Sequence, residues 1–136
     1  VVEALKRNQV VIMTADTGSG KSTQLPQIIL DNVLPPGETR RIAVLEPRRL
    51  NAISLSRRVA EERGLPPGHE VGYTIGRGES NVTSTTRIEF MTHGLFVQIA
   101  RNCDQLLSKY CAAVVDEAHE RSVDVDLSLP LLKRAL

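Results

Sequence analysis

The chain alternates short apolar runs with longer segments whose apolar residues recur at helical spacing. The short runs are rich in aliphatic and β-branched residues and end at glycine, proline or charged residues, which is typical of strands buried on both faces. They cover residues 10–14, 41–46, 71–75, 87–92 and 112–116. The pattern therefore predicts five buried strands.

The segments between these runs have the spacing of amphipathic helices. After the first run, Leu25, Ile28, Ile29 and Val33 lie on one helical face, and the Pro-Pro-Gly sequence at residues 35–37 ends that helix. Further helices are predicted over residues 49–63, 94–102 and 124–136, the last bent near Pro130. Strands that alternate with helices predict an α/β fold, a mostly parallel sheet with helices on both faces. Such sheets bind ligands at the carboxyl ends of their strands.

Composition indicates one globular domain. The chain has 136 residues, 41% of them hydrophobic and 24% charged, which excludes a disordered tail or a fibrous repeat. The net charge is only +1, so a site for a polyanion has to be local. Residues 76–86 are polar and rich in Gly, Ser and Thr, and they predict either a flexible surface connection or a nucleic-acid contact.

Cysteine usage and the length of the apolar runs predict an intracellular protein. Cys103 and Cys111 have neither the spacing of a zinc site nor that of a disulfide framework, so we expect buried or idle thiols in a reducing compartment. The apolar runs are too short to cross a membrane and no signal peptide opens the chain, which predicts a nuclear or cytoplasmic protein with no membrane partner. Because the chain lacks an initial Met and ends inside an apolar pattern, we expect it to be part of a longer polypeptide.

Residues 15–22, Ala-Asp-Thr-Gly-Ser-Gly-Lys-Ser, match the phosphate-binding loop pattern G-x-x-x-x-G-K-[ST] except at Ala15. Small residues let backbone N–H groups approach a triphosphate, and the next helix offers its positive N-terminal end. Lys21 is expected to reach the β- and γ-phosphates, and the Ser22 hydroxyl to bind Mg²⁺. Ala15 is tolerable if its φ is negative. The alternative is a flexible turn with a solvated lysine.

Asp116 and Glu117 directly follow the last apolar run. In phosphoryl transfer a metal needs an acidic partner and the attacking water needs an acceptor. We assign Asp116 to the magnesium, directly or through water, and Glu117 to the water. The alternative is a solvated acidic turn, which explains poorly why it follows a buried strand.

Five short motifs occur in the order typical of one family. They are Gly-Ser-Gly-Lys-Ser-Thr-Gln-Leu-Pro-Gln at 18–27, Pro-Arg-Arg at 47–49, Val-Gly-Tyr at 71–73, Met-Thr-His-Gly at 91–94 and Asp-Glu-Ala-His-Glu-Arg-Ser at 116–122. Nearly the whole chain resembles the first RecA-like domain of a DEAH-box RNA helicase of superfamily 2, a P-loop NTPase fold. The resemblance implies an ATP-dependent RNA helicase, a nucleoside-triphosphatase that couples hydrolysis to RNA translocation, generally 3′ to 5′, and to unwinding.

The resemblance also implies cofactors and partners. ATP or another NTP with Mg²⁺ is the implied cofactor, and single-stranded RNA or a ribonucleoprotein is the implied partner. A second RecA-like domain of the same polypeptide would supply arginine fingers, and an activating protein cofactor is a further candidate partner. On this resemblance, residues 1–136 are expected to form the helicase ATP-binding domain, cut before the family's Ser-Ala-Thr motif. The isolated chain is therefore expected to bind nucleotide weakly and to hydrolyse it poorly.

Residue roles follow from the same resemblance. The nucleotide-binding residues are Thr17, Gly18, Ser19, Gly20, Lys21, Ser22, Thr23 and the adenine-stacking Arg58, whose alternative is an exposed helix charge. The catalytic set is Lys21, Asp116, Glu117 and His119, which links nucleotide state to the coupling segment. The RNA-facing residues are Arg49, Thr92, Gly94 and Arg77. They would hold phosphates and sugars without reading sequence.

Three positions depart from the family pattern. Asp16 stands where glutamate is usual, His93 where aspartate is usual, and Gly76-Arg77-Gly78 where an Ile-Arg-Phe-like run continues. We expect Arg77 to replace the usual RNA-facing arginine, and His93 to be an idle surface residue or, if protonated, a phosphate contact. Two other functions stay open: a docking module for RNA or protein with little turnover, and a P-loop ATPase acting on DNA or protein.

Overall fold

The structure is a computed structural model that describes residues 1–16, 18–120 and 122–136. Within these residues five strands form one sheet in the order β3-β2-β4-β1-β5. The strands are β1 (Arg41–Glu46), β2 (Val71–Gly76), β3 (Glu79–Ser80), β4 (Ile88–Thr92) and β5 (Tyr110–Val115). All neighbouring pairs are parallel except the β2–β3 hairpin. The predicted mostly parallel sheet is confirmed.

Helices cover both faces of the sheet. They are α1 (Val2–Arg7), α2 (Lys21–Ile28), α3 (Arg49–Glu62), α4 (His93–Ala100), α5 (Cys103–Lys109) and α6 (Val123–Ala135), and a π-helical turn, Ile29–Val33, continues α2. Alternate side chains of β1 enter two separate clusters. Ile42 and Val44 pack with residues of α1, α2 and α3, whereas Ala43 and Leu45 pack with residues of α4, α5 and α6. This double burial explains why β1 reads as a continuous apolar run.

The strand predicted over residues 10–14 is wrong, because these residues form neither a strand nor a helix. Val10 is 62% exposed and Ile12 is 89% exposed. A run becomes a strand only where another strand hydrogen-bonds to it, and in the described part of the chain none pairs with this segment. The apolar run still leads directly into the phosphate-binding loop.

Three short elements lie outside the predicted ones: α1, α5 and β3. Asn102 caps the N-terminus of α5, because its side-chain oxygen accepts a hydrogen bond from the Gln105 N–H at 3.0 Å. Asparagine before a helix is therefore the local signal for α5. Strand β3 lies within the segment predicted as a flexible connection or nucleic-acid contact. No helix among the residues that the structure describes is long and apolar enough to cross a membrane.

The parallel arrangement places four strand ends at one edge of the sheet. Glu46 and Thr92 end β1 and β4 and lie opposite each other in the register. Directly after β5, the Asp116 N–H donates to the Leu45 carbonyl of β1 at 3.1 Å. The residues that follow β1, β2, β4 and β5 therefore share the edge at which α/β sheets bind ligands.

Candidate nucleotide-binding site

The loop before α2 has the backbone conformation of a phosphate cradle. Gly18 and Gly20 both have φ of +82°, in the left-handed region that glycine adopts without steric cost. Gly20 lies directly before α2, and its carbonyl accepts the N–H groups of Thr23 and Gln24 at 3.2 and 2.8 Å. Among the described non-glycine residues only Arg77 and Glu117 have positive φ, so the expectation that Ala15 keeps a negative φ is confirmed.

Lys21 is the first residue of α2, and its side chain reaches back over the loop. Its Nζ donates a hydrogen bond to the carbonyl of Ala15 at 2.8 Å. Thr23 is buried, and its hydroxyl donates to the Gly20 carbonyl at 3.1 Å. This bond joins the first turn of α2 to the end of the loop. Thr17, also predicted to bind nucleotide, lies outside the described residues.

Ser22 and Asp116 are in direct contact across the site. The Ser22 hydroxyl donates to Oδ2 of Asp116, and the Glu117 N–H donates to Oδ1 of the same carboxylate at 2.9 Å. These bonds hold a hydroxyl and a carboxylate side by side, which is the hard-oxygen chemistry that Mg²⁺ prefers. The two residues predicted to bind magnesium therefore lie where one ion would contact both.

A third carboxyl group, Glu46, lies beneath this pair and was missed by the sequence reasoning. The residue is 1% exposed, and its Oε1 is buried without a hydrogen-bond partner among the residues that the structure describes. Burial, helped by the negative charges of Asp116 and Glu117, raises the pKa of Glu46 to about 8. An unpartnered buried oxygen beside Asp116 fits a site that receives a cation. The available signal was an acidic residue ending an apolar strand at the ligand-binding edge.

Glu46 makes stability depend on pH. In the unfolded chain its carboxyl loses its proton near the ordinary value of 4.5, whereas the folded chain keeps the proton up to about pH 8. The folded state binds more protons between these values, so stability falls as pH rises through this range. We expect Glu46→Gln, which stays neutral, to be more stable than the unmutated chain at about pH 8, by about 4 kcal/mol, and by only about 1 kcal/mol at about pH 5.

Urea denaturation of both proteins at the two pH values measures this difference. Glu61→Gln is the matched control, because Glu61 is an exposed acid on α3. An equal stability difference at both pH values would show that burial of the Glu46 charge does not set the pH dependence.

Glu117 and His119 lie at the rim of the cavity. Glu117 has φ of +52°, an uncommon conformation for a residue with a side chain and one that recurs at functional sites. Its Oε2 lies 3.0 Å from Nε2 of His119, and both side chains are substantially exposed. The carboxylate predicted to orient water is therefore accessible from the cavity.

The loop, the two carboxylates and α3 enclose one cavity of about 440 Å³. Its lining comprises Met13, Thr14, Ala15, Gly18, Ser19, Gly20, Lys21, Ser22, Thr23, Leu55, Arg58, Asp116, Glu117 and His119. Every described residue predicted to bind nucleotide or to act in hydrolysis contributes to this lining. Arg58 lies with Leu55 on the α3 side of the cavity, and its stacking role stays a prediction.

The predicted RNA-facing residues lie at the same edge of the sheet. Thr92 ends β4 and caps α4, because its Oγ1 accepts the Leu95 N–H at 3.3 Å. Gly94 follows in the first turn of α4, and a Cβ there would lie 3.2 Å from Oδ2 of Asp124. Arg49 begins α3 just after β1. Two elements that follow neighbouring strands therefore present these residues together.

Arg77 lies at the tip of the β2–β3 hairpin with φ of +53°. The hairpin reaches α3, since a carboxylate oxygen of Glu79 lies 3.7 Å from Nη2 of Arg49. Arg77 therefore lies on a hairpin that contacts Arg49, the other arginine predicted to face RNA.

The expectation for His93 is wrong. Its side chain is 2% exposed, and its Nε2 lies 3.3 Å from the carbonyl oxygen of Asp116. Burial lowers the pKa of His93 below its ordinary value, which disfavours the protonated ring required for a phosphate contact. His93 instead joins the start of α4 to the residues that follow β5.

A glycine-rich loop before a helix, facing a strand-end Asp-Glu pair, defines a P-loop nucleotide-binding domain of RecA-like fold. The chain belongs to the DEAD/DEAH box helicase family, whose family model matches residues 1–129. The resemblance inferred from the five motifs is thereby confirmed.

Curated relatives and a solved structure agree with this membership. The probable ATP-dependent RNA helicase kurz of Drosophila melanogaster is 48% identical over 134 residues, which are 98% of this chain and 11% of that protein. The pre-mRNA-splicing factor ATP-dependent RNA helicase DEAH10 of Arabidopsis thaliana is 42% identical over 134 residues, 98% of this chain and 18% of that protein. The crystal structure of the Escherichia coli DEAH/RHA helicase HrpB matches with a TM-score of 0.84 and 40% identity, over 98% of this chain and 16% of that one. The chain thus spans less than a fifth of each of these proteins.

Proposed function

We propose that this chain is the NTP-binding and hydrolysing half of an ATP-dependent RNA helicase, in which hydrolysis drives RNA translocation and unwinding. The contact between Ser22 and Asp116 carries the proposal. It brings the end of the phosphate loop against the acidic strand end, as phosphoryl transfer from a magnesium-bound triphosphate requires. Family membership and the ATP-dependent RNA helicases among the relatives support the proposal.

In this proposal some residues of the site bind the nucleotide and its metal ion, and others act on the attacking water. The backbone of Gly18 to Gly20 and the ammonium of Lys21 bind the phosphates, while Ser22 and Asp116 hold Mg²⁺. When bound, this ion neutralises negative charge on the phosphates. Glu117 orients the attacking water and accepts its proton. His119, 3.0 Å from Glu117, holds that carboxylate in place and connects the site to segments that respond to the nucleotide.

RNA binds the same edge of the sheet in this proposal. Arg49 and Arg77 supply positive charge, and Thr92 with the N–H of Gly94 contacts phosphates or sugars without reading bases. Single-stranded RNA or a ribonucleoprotein is the substrate. A second RecA-like domain of the same polypeptide supplies the arginine fingers, and an activating protein acts as a further partner. The nuclear or cytoplasmic location stays a prediction of the sequence.

The test is RNA-stimulated NTP hydrolysis by the longer polypeptide that contains this chain. We expect single-stranded RNA to stimulate turnover more strongly than DNA of the same sequence. Arg49→Ala should weaken the stimulation, whereas Arg57→Ala, which removes an exposed α3 arginine, should not. The 136-residue chain alone should not separate strands. RNA binding without turnover would favour a docking module, and a preference for DNA would favour an ATPase that acts on DNA.

A further inference from the structure

Glu62, at the C-terminal end of α3, accepts hydrogen bonds from three side chains. Its Oε2 accepts the amide groups of Gln24 and Gln27 at 3.0 and 2.8 Å. Its Oε1 accepts Nε of Arg58 at 3.4 Å. These bonds, that of Gln27 foremost, lower the pKa of Glu62 below its ordinary value, so the carboxylate is ionised at neutral pH. One side chain thus joins α2, which carries the phosphate loop, to Arg58 on the cavity wall.

The connection extends from Glu62 to the phosphate loop. Besides contacting Glu62, Nε2 of Gln27 donates to the Thr23 carbonyl at 3.0 Å. The Thr23 hydroxyl in turn donates to the carbonyl of Gly20 at 3.1 Å. A continuous series of hydrogen bonds therefore connects the phosphate loop, through α2 and Glu62, to the Arg58 guanidinium.

Arg58 depends on this contact for its position. Its side chain is 69% exposed, and among the described residues the hydrogen bond and ion pair it forms are both with Glu62. A long exposed side chain samples many rotamers, and fixing it costs conformational entropy. A guanidinium fixed before binding can stack on an aromatic base with less of that cost. Leu55, three residues earlier on α3, lines the same wall and adds an apolar surface for a base.

We propose that Glu62 is a positioning residue that holds Arg58 at the cavity wall and thereby sets how much the nucleobase contributes to nucleotide affinity. This inference rests on the proposed function, since it assumes that the cavity binds a nucleotide with its base at Arg58. Glu62 itself does not touch the nucleotide. We expect its contribution to appear at the base, because Glu62 contacts Arg58 directly and the phosphate loop only through α2.

The experiment compares two ligands that share phosphate groups but differ in the base. The affinities of ADP and of inorganic pyrophosphate, each with Mg²⁺, are measured by calorimetry for the unmutated chain, Glu62→Ala, Arg58→Ala and the double variant. We expect ADP affinity to fall about two- to fivefold in each single variant, the effect of an exposed cation–π contact, with pyrophosphate affinity unchanged. The double variant should lose no more than Arg58→Ala alone, because the two residues act through one contact.

Conservative variants and a neighbouring acid complete the design. Glu62→Gln keeps the size of the side chain and an acceptor oxygen, so it should lie between the unmutated chain and Glu62→Ala. Glu61→Ala removes the neighbouring exposed acid and should leave the ratio of the two affinities unchanged. Thermal unfolding of each variant identifies any that fails to fold, in which case Glu62→Gln decides.

The outcomes separate this inference from the proposed function. Equal losses of ADP and pyrophosphate affinity in Glu62→Ala would show that Glu62 supports the phosphate loop rather than Arg58, and would overturn the inference. The inference would also be overturned if the ratio of ADP affinity to pyrophosphate affinity fell in Arg58→Ala but stayed unchanged in the Glu62 variants. If neither the folded, unmutated chain nor the longer polypeptide that contains it binds either ligand, the proposed function fails and the inference fails with it.

Discussion

Replacing Glu117 by glutamine is expected to lower NTP hydrolysis by about 10²- to 10⁴-fold while nucleotide affinity changes little. The amide keeps the size of the side chain but cannot accept a proton from the attacking water. In the proposed function the loop, Ser22 and Asp116 make the phosphate and metal contacts, so these contacts should survive. Steady-state hydrolysis with saturating RNA, measured on the longer polypeptide, gives the rate, and equilibrium binding of a fluorescent ADP analogue gives the affinity.

Glu61→Gln is the control for Glu117→Gln, because it removes one exposed acid from the outer face of α3 without touching the cavity. It should leave both rate and affinity unchanged. Hydrolysis that persists in Glu117→Gln would contradict the assignment of Glu117 to the water. A polypeptide that binds RNA but shows no turnover even with Glu117 intact would be a docking module.

Much of the site could be predicted from the sequence because it depends on local patterns. The phosphate loop requires small residues and a following helix, and Gly18, Gly20 and Lys21 lie as that pattern predicts. The run at residues 41–46 predicts β1 at its observed limits, because a strand buried on both faces leaves an uninterrupted apolar sequence. The position of Arg58 came from the family resemblance, since an arginine on a helix carries no local signal of its own.

The features that could not be predicted depend on neighbours distant in sequence. Residues 10–14 have strand composition, yet pairing depends on another strand lying alongside. Glu46 and His93 read as ordinary polar residues at element boundaries, and only the folded chain shows that both are buried beside Asp116. A sequence pattern gives the direction of a side chain along its own element but not what covers it.

The nucleotide cavity and the residues proposed to face RNA are connected by contacts in this fold. His93 lies between Thr92 and Gly94, and its ring meets the carbonyl of Asp116. A second contact is the ion pair of Arg48 with Glu120, 4.0 Å between Nη2 and Oε1, which joins the start of α3 to the loop after Glu117. Through these two contacts the residues around the cavity meet the residues proposed to bind RNA.

Replacing Lys21 by alanine is expected to weaken Mg²⁺-dependent ADP binding by about 10- to 100-fold, the value of a hydrogen bond to a charged group. Lys21 lies over the loop with its Nζ at the Ala15 carbonyl, so little rearrangement brings it to a phosphate.

A fluorescent ADP analogue titrated into the chain measures the loss, with unlabelled GDP as competitor. Lys109→Ala is the control, since this exposed lysine precedes β5 at the opposite edge of the sheet from the phosphate loop. Competition by GDP would show that the site accepts either purine base, as stacking on Arg58 beside Leu55 predicts. Equal binding by the Lys21 and Lys109 variants would show that the ammonium does not contact phosphate, and the loop would then act through its backbone alone.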